Sequence, residues 1–367
     1  MKRFHHSVFI AICLLTLSAI SFGDPGQSLT PAPEGTFSIA VIPDTQRYLG
    51  PGTGREEESG EPRNPAFESR TSWLAANLET QRIVFISHTG DIVDKNEPRQ
   101  WRIARENMDR IHGRVPYGIA VGNHDMAGNT GNSRLFQEYF GAARYTGEPW
   151  YGGTYEGQPG HAPEVSGNNA DSFQLFSAGG LDFVIAHLEC NAPDDVLKWL
   201  DGVFETHRDR MAIISTHMYL GGIKKKSAEP PQGRMQWKKV HGDRGNTPQQ
   251  LWDKAFSKYP NLFLVLCGDQ SISITHRQTS QGVHGNDVHE LLMDYPRDAD
   301  NSDWLRLLRF FPEKGRIDVL TYSPAQDKLC ESIGHCTARS DHQFDLDISA
   351  AIADHRAQRQ PTLAPAK

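Results

Sequence analysis

The sequence predicts an α/β fold, and two observations carry that prediction. Short apolar runs alternate with stretches of helical periodicity along most of the chain. Five of the apolar runs end in a side chain able to hold a metal or move a proton, the arrangement of sheets that bind ligands at the carboxyl ends of their strands. With 367 residues, 38% of them hydrophobic, the chain is long enough for one large domain or two average ones. The steady alternation argues against two unrelated domains.

The N-terminal segment stands apart from this pattern. Lys2 and Arg3 supply positive charge, and Val8 to Ile20 is apolar but too short for a comfortable membrane span. Ser21-Phe22-Gly23 then gives a small-x-small pattern before Asp24. Residues 1–23 therefore read as a secretory signal peptide, which implies an exported protein, secreted or periplasmic, with no transmembrane segment in the mature chain. Residues 24–36, rich in Pro, Gly and Ser, read as a linker. The folded domain is expected over 37–349, with 350–367 a polar flexible tail.

Phe37 to Pro43 is the first predicted strand and runs into Asp44-Thr45-Gln46. Gly50 to Pro65 has no periodicity and reads as a surface loop that can rim a site. Ala66 to Glu79 is helical, with Phe67, Trp73, Leu74 and Leu78 on one face. Ile83 to Thr89 is the second strand and ends in Gly90-Asp91-Ile92-Val93-Asp94. Glu97 to His112 is an amphipathic helix. Val115 to Val121 is the third strand and ends in Gly122-Asn123-His124-Asp125. That last group offers a neutral oxygen, an imidazole and a carboxylate in succession.

Gly128 to Pro163 is a long loop rich in Gly and aromatic residues. Its rings can fill the gap between loop and core, or stack on a sugar or base. Asp171 to Phe176 and Leu181 to Leu188 form a hairpin around Gly179-Gly180. A helix over Pro193 to His207 leads to the strand Met211 to Thr216, which ends in His217. Gly221 to Asn246 is a basic loop carrying Lys224, Lys225, Lys226, Arg234, Lys238, Lys239 and Arg244, suited equally to solvent and to an anionic substrate. A helix follows over Pro248 to Lys258. Leu262 to Cys267 runs into Gly268-Asp269, and strands are expected at Val288 to Tyr295, Leu305 to Phe311 and Ile317 to Tyr322.

The formal net charge of −7 gives no reason to expect nucleic-acid binding. Cys330 and Cys336, close in sequence in an exported chain, are expected to form a local disulfide. Cys190 and Cys267 read as buried small hydrophobes. His88, His112 and His187 lie in or near apolar runs and read as ordinary core or surface histidines. Taken singly, Asp44 would be a helix N-cap.

In their order, Asp44-Thr45-Gln46, Gly90-Asp91-Ile92-Val93-Asp94, Gly122-Asn123-His124-Asp125 and His217 resemble the motifs of the calcineurin-like metallophosphoesterase family. The resemblance covers the chain from about Ser38 to the region of Ser323. It implies a four-layer α/β/β/α sandwich of two mixed sheets flanked by helices, with the site at one end. It implies hydrolysis of phosphomonoesters or phosphodiesters, on small-molecule or polymer substrates, by water activated between two divalent metal ions. Asp91 matches the carboxylate that bridges the two ions. Asp44 and Gln46 match ligands of the first ion, and Asn123 and His217 ligands of the second. His124 matches the group that meets the phosphoryl oxygen and protonates the leaving group. Asp125 is expected to orient His124, and Asp94 to support the site from behind.

Two positions depart from the family pattern. Gln46 stands where the family usually has His, and Gly268-Asp269-Gln270-Ser271 stands in place of Gly-His-x-His. Asp269 can replace the first of those histidines as a ligand; Ser271 is a poor substitute for the second. The resulting set, Asp44, Gln46, Asp91, Asn123, His217 and Asp269, has more oxygen than nitrogen donors. It favours Mn²⁺ or Mg²⁺, with Ca²⁺, Fe and Zn²⁺ also compatible. Two other readings remain open at this point: a ligand-binding protein on the same fold whose metal site is degraded, and a two-metal hydrolase acting on another bond.

Overall fold

The computed structural model describes residues 28–53, 60–221, 233–269, 274–295, 303–334 and 336–359. The proposed signal segment 1–23, Ser271 and the triplet Lys224-Lys225-Lys226 lie outside the described residues.

The first third of the chain lays down three parallel strands and their helices. These are β1 (Phe37–Ile42), α1 (Pro65–Asn77), β2 (Ile83–His88), α2 (Pro98–Asp109) and β3 (Tyr117–Ile119). β1 alternates by face, as a strand must. Phe37, Ile39 and Val41 turn to one side, and Ala40 and Ile42 to the other, where the helices lie. α1 starts where its sequence says: Pro65 occupies the first turn, and the Asn64 side chain accepts the Phe67 N–H at 3.1 Å.

The second sheet follows. Next in order are α3 (Arg134–Phe140), β4 (Tyr151–Thr154), β5 (Ser172–Ala178), β6 (Leu181–His187), α4 (Asp194–Thr206), β7 (Met211–Thr216), α5 (Pro248–Lys254), β8 (Leu262–Cys267), β9 (Ile274–Gln281) and β10 (Asp287–Asp294). The chain then returns to the first sheet with β11 (Leu305–Phe311), β12 (Arg316–Ser323), β13 (Lys328–Leu329) and β14 (Gln343–Asp347), and ends the described part in α6 (Ser349–Arg359).

One sheet has the order β13-β12-β11-β1-β2-β3, with β14 also paired to β12. The other has the order β4-β5-β6-β7-β8-β10-β9. Both are mixed. β1 runs parallel to β2 and antiparallel to β11, while β6, β7, β8 and β10 are parallel and β4, β5 and β9 antiparallel to their neighbours.

Three apolar clusters make the layers concrete. The middle one joins Phe37, Ile39 and Phe85 of one sheet to Phe176, Phe183, Ile185 and Ile213 of the other. Its rings are closely packed: Phe37 stacks on Phe310 at 4.7 Å and Phe85 on Phe176 at 4.7 Å between centroids. The second cluster seats α1, α2 and α3 on the first sheet through Phe67, Leu74, Trp101 and Phe136. The third seats α4 and α5 on the second sheet through Val196, Leu200 and Leu251. Helix, sheet, sheet, helix is the four-layer sandwich expected.

Several expectations need correction. No disulfide joins Cys330 and Cys336. Cys330 is buried in the cluster between the sheets, whereas Cys336 packs in the outer cluster and exchanges hydrogen bonds with the Thr275 backbone. The expected tail begins instead as α6, held because Ile352 is buried and His355 Nδ1 donates to the Asp209 carbonyl at 2.8 Å. Residues 360–367 lie outside the described residues. The 128–163 stretch is not loop alone: α3 and β4 form within it, because Phe136 and Phe140 reach the Trp101 ring of α2. Its rings fill core; Phe136, Phe140, Tyr145 and Trp150 are all buried. Cys190 and Cys267 are buried, as expected.

Candidate metal centre

Five strand ends meet at one end of the sandwich. Asp44 follows β1, Asp91 follows β2 and Asn123 follows β3 in the first sheet; His217 follows β7 and Asp269 follows β8 in the second. The site therefore straddles the seam between the sheets.

Two buried carboxylates and an imidazole converge there. The ligating atoms of Asp44, Asp91 and His217 all lie within 4.8 Å of one another. His217 Nδ1–H donates to the Thr89 carbonyl at 2.8 Å, which leaves Nε2 as the free ring atom. That Nε2 lies 3.3 Å from Asp91 Oδ2, 3.8 Å from Asp269 Oδ1 and 4.0 Å from Asp44 Oδ2, yet it makes no hydrogen bond. A backbone carbonyl on one nitrogen and an unpartnered second nitrogen facing acids is the arrangement of a metal-ligating histidine. Asn123 Oδ1 is a second buried atom without a partner.

The backbone is strained where it delivers these groups. Asp91, Met218 and Asp269 adopt φ of +48°, +55° and +64°. Each such non-glycine residue costs about 1–3 kcal/mol and persists only where its surroundings demand it. Two glycines make room for the acids. A Cβ on Gly122 would sit 2.1 Å from Asp91 Oδ1, and one on Gly268 would sit 2.1 Å from Asp44 Oδ1. These contacts explain the Gly of both motifs by close approach.

Neighbouring N–H groups hold the carboxylates. Asp91 accepts the His124 backbone N–H at 2.9 Å and the Gln46 side-chain amide at 2.6 Å. Turning that amide about its last bond would present Oε1 instead. Asp44 accepts the Asp269 N–H at 3.3 Å.

Electrostatics follow from crowding. Burial, reinforced by Asp91 and Asp269 and opposed by His217, raises Asp44 well above the carboxylate range. Burial also pushes Asp91 upward, but attraction from His217 and His124 overcomes it and Asp91 ends low. Burial pushes Asp269 up to about 6. Burial would depress His217, but Asp91 and Asp44 raise it well above the usual imidazole value. Like charges packed this closely out of water call for a cation. The oxygen-rich donors and the unpartnered Nε2 fit a hard divalent ion.

His124 stands at the rim, with its side chain 40% exposed. Asp125 does not take the orienting role expected of it. Its buried carboxylate accepts the N–H of Gly122 at 2.8 Å and of Val93 at 3.2 Å, tying two loops together. The His124 ring is held by Asp94, whose carbonyl accepts from Nδ1 at 2.6 Å and whose carboxylate lies 3.9 Å away. Asp94 supports the site from behind through its backbone. Burial, then Asp91, raises Asp125 to about 7.

One residue set aside in the sequence and one not singled out there also lie against the site. His88 is buried and bonded within the floor of the site, and Arg70 of α1 reaches the Asp44 carbonyl at 3.4 Å. Arg70 was detectable: it shares the helix face of Phe67, Thr71 and Leu74, where a cation needs a reason. The basic loop, by contrast, spends its described arginines on structure. Arg234 pairs with buried Glu290 and lies 3.9 Å over the Trp252 ring, and Arg244 pairs with Asp195.

A two-sheet sandwich gathering acids and imidazole at five strand ends has the form of a metallohydrolase. Residues 37–269 match the model of the calcineurin-like phosphoesterases, and the chain belongs to that family. The uncharacterized protein YvnB of Bacillus subtilis is 28% identical over 336 residues, covering 89% of this chain and 23% of that protein. The chain thus spans less than a quarter of that relative's length. Weak likenesses of shape link it to a dimetal phosphatase from Danio rerio, with TM-score 0.47, 11% identity and coverage of 87% of this chain and 100% of that one. A 5′-nucleotidase precursor from Thermus thermophilus gives TM-score 0.39, 12% identity and coverage of 89% and 59%. GAP50 of Plasmodium gives 0.44, 11%, and 90% and 99%.

Proposed function

We propose that the protein is an exported, metal-dependent hydrolase of phosphomonoesters or phosphodiesters. The observation that carries this reading is the unpartnered His217 Nε2 set among Asp91, Asp44 and Asp269. In this reading Asp44, Asp91 and His217, with Gln46, Asn123 and Asp269, hold two divalent ions, Mn²⁺ or Mg²⁺ by preference. Ions bound there supply charge neutralisation at the phosphoryl group and a nucleophilic hydroxide at neutral pH.

The chain's own groups position and transfer protons. The Asp94 carbonyl fixes His124 Nδ1, leaving Nε2 to present a proton to the departing oxygen. Burial lowers the affinity of His124 for that proton, but Asp91 and the Asp94 carbonyl raise it above the ordinary imidazole value, which suits an acid near neutral pH. The His124 backbone N–H meanwhile holds Asp91 in place. Export rests on residues 1–23 of the sequence; among the described residues no helix is long and apolar enough to cross a membrane.

The test is hydrolysis of p-nitrophenyl phosphate and bis-p-nitrophenyl phosphate by the mature protein with Mn²⁺, Mg²⁺, Ca²⁺ or Zn²⁺. Metal-dependent turnover, lost in Asp91→Asn and reduced in His124→Ala, is expected, and the better ester sets the substrate class. Folded protein inactive with every metal would favour the ligand-binding reading instead. Export is tested by N-terminal sequencing of the protein recovered outside the cytoplasm; an intact Met1 there would count against cleavage.

A further inference from the structure

We infer that Thr45 and His88 are positioning residues of the metal centre, setting the separation of Asp44 and Asp91. The inference rests on the metal-dependent reading above. Asp44 and Asp91 come from different loops, after β1 and β2, and the strand ladder ends at Ile42 and His88 with one further bond, from the Thr89 N–H to the Ile42 carbonyl at 3.1 Å, short of both acids. Something else must hold the two loops at a fixed distance.

Thr45 does so with every polar group it has. Its backbone N–H donates to the Asp91 carbonyl at 3.0 Å. Its carbonyl accepts from Asn64 Nδ2 at 2.6 Å, at the cap of α1. Its hydroxyl donates to the Ile92 carbonyl at 2.9 Å and stands 3.1 Å from His88 Nε2. The His88 tautomer follows from its other contact. Nδ1 accepts the Gly90 N–H at 3.2 Å, so Nε2 carries the hydrogen and donates it to the Thr45 oxygen. The result is one directed chain: Gly90 N–H to His88 Nδ1, His88 Nε2–H to Thr45 Oγ1, Thr45 Oγ1–H to Ile92 carbonyl.

The two contacts on the second loop flank Asp91, one at Gly90 and one at Ile92. They grip a residue whose φ of +48° needs support from its surroundings. All members are buried: Thr45 is 2% exposed, and His88 and Ile92 are fully enclosed. An aliphatic side chain at 45 would break the chain in the middle, leaving the His88 ring N–H without a partner and the Ile92 carbonyl with only the Tyr48 hydroxyl, at 2.8 Å. Serine keeps the hydroxyl and its bonds. That contrast separates positioning from filling space, because serine is the worse filler.

The experiment is calorimetric titration of Mn²⁺ into metal-free protein, with melting of the same metal-free samples. Wild type, Asp91→Asn, Thr45→Ser, Thr45→Val and His88→Gln are compared. Thr45→Val and His88→Gln are expected to bind Mn²⁺ about 10–100-fold more weakly, the usual effect of removing a group that orients a ligand, while Thr45→Ser stays within about threefold of wild type. If Thr45→Val does not fold, His88→Gln carries the comparison against Thr45→Ser. Wild-type affinity in both Thr45→Val and His88→Gln, alongside loss in Asp91→Asn, would overturn the positioning role and leave the metal centre standing. Equal weakening in Thr45→Ser and Thr45→Val would also overturn it. No Mn²⁺ binding by wild type, or full binding by Asp91→Asn, would bring down the metal reading itself and this inference with it.

Discussion

His217 Nε2 and Asp91 Oδ2 stand 3.3 Å apart across the seam of the sandwich, and no hydrogen bond joins them. One group comes from each sheet. The pair is close enough to share an ion and misaligned for sharing a proton. A bound cation would therefore stabilise the fold as well as the site. Saturation at 100 times the dissociation constant is worth about 2.7 kcal/mol. The melting temperature is expected to rise with Mn²⁺ in wild type and to stay flat in His217→Ala.

Asp44 sits buried beside Asp91 and Asp269, which raise its affinity for a proton beyond the effect of burial. Asp44→Asn removes a repelled charge. Metal-free Asp44→Asn is expected to be more stable than wild type at pH 7 by about 0.5–2 kcal/mol, while losing metal-dependent turnover. Urea denaturation in the presence of chelator, read against the activity assay, checks both halves.

The approach of Gly122 to Asp91 leaves no room for a methyl group. Gly122→Ala must push the carboxylate or the loop aside. Displacements on the order of 1 Å at a reacting centre cost about 100-fold in rate. A loss of that order in kcat/KM is expected, and wild-type kinetics would show that the loop yields freely.

His124 is expected to act on the leaving group and not on metal retention. His124→Ala should lower kcat by about 10²–10⁴-fold for esters of poorly acidic alcohols, and much less for p-nitrophenyl esters, with Mn²⁺ affinity unchanged. A loss independent of the leaving group would refute an acid role.

Buried histidines make the fold acid-sensitive. Burial pushes His187 down to about 3, and burial with the charge of Arg70 does the same to His88. Unfolded, each takes a proton near 6.5. Between those values the unfolded chain binds more protons, so stability rises with pH. It is complete above about pH 6.5 and is lost as pH falls toward 3, by about 1.4 kcal/mol per unit for each ring. His187 bonds Gln174 at 2.7 Å and Ser87 at 3.0 Å, bridging the sheets. His187→Asn in chelator is expected to be less stable at pH 7 but to show a shallower decline between pH 6 and 4.

Much of the framework was legible because parallel strands covered on both faces read as unbroken apolar runs. Met211–Thr216 and Leu262–Cys267 are such runs, wholly buried. The convergence of Asp44, Asp91 and His217 was legible because motif order placed each at a strand end. What escaped notice has a common cause in partners distant in sequence. β9 (Ile274–Gln281) is polar because it lies at a sheet edge, and only β10 identifies it as a strand. β14 is five residues long and is fixed by its pairing with β12. α6 has little apolar content of its own and depends on the pocket that receives Ile352. Asp125 was misjudged because its role is set by backbone groups, Gly122 and Val93, which carry no mark in a sequence, whereas His88 is the buried, hydrogen-bonded histidine expected.

The pairing of β1 with β11 has a consequence for how the protein comes into being. During synthesis β1 emerges early, but its antiparallel neighbour, Leu305–Phe311, emerges only after the whole second sheet has been made. Until then Phe37 lacks the Phe310 ring it stacks on, and one edge of the first strand stays open. The segment matching the family, 37–269, stops short of that strand. A nascent chain of that length would carry Asp44, Asp91, Asn123, His217 and Asp269 and still have an exposed sheet edge beside the first of them. Completion of the sheet beneath these side chains therefore waits on residues far from them in sequence, and a ribosome stalled before residue 305 would display an aggregation-prone intermediate with that edge open.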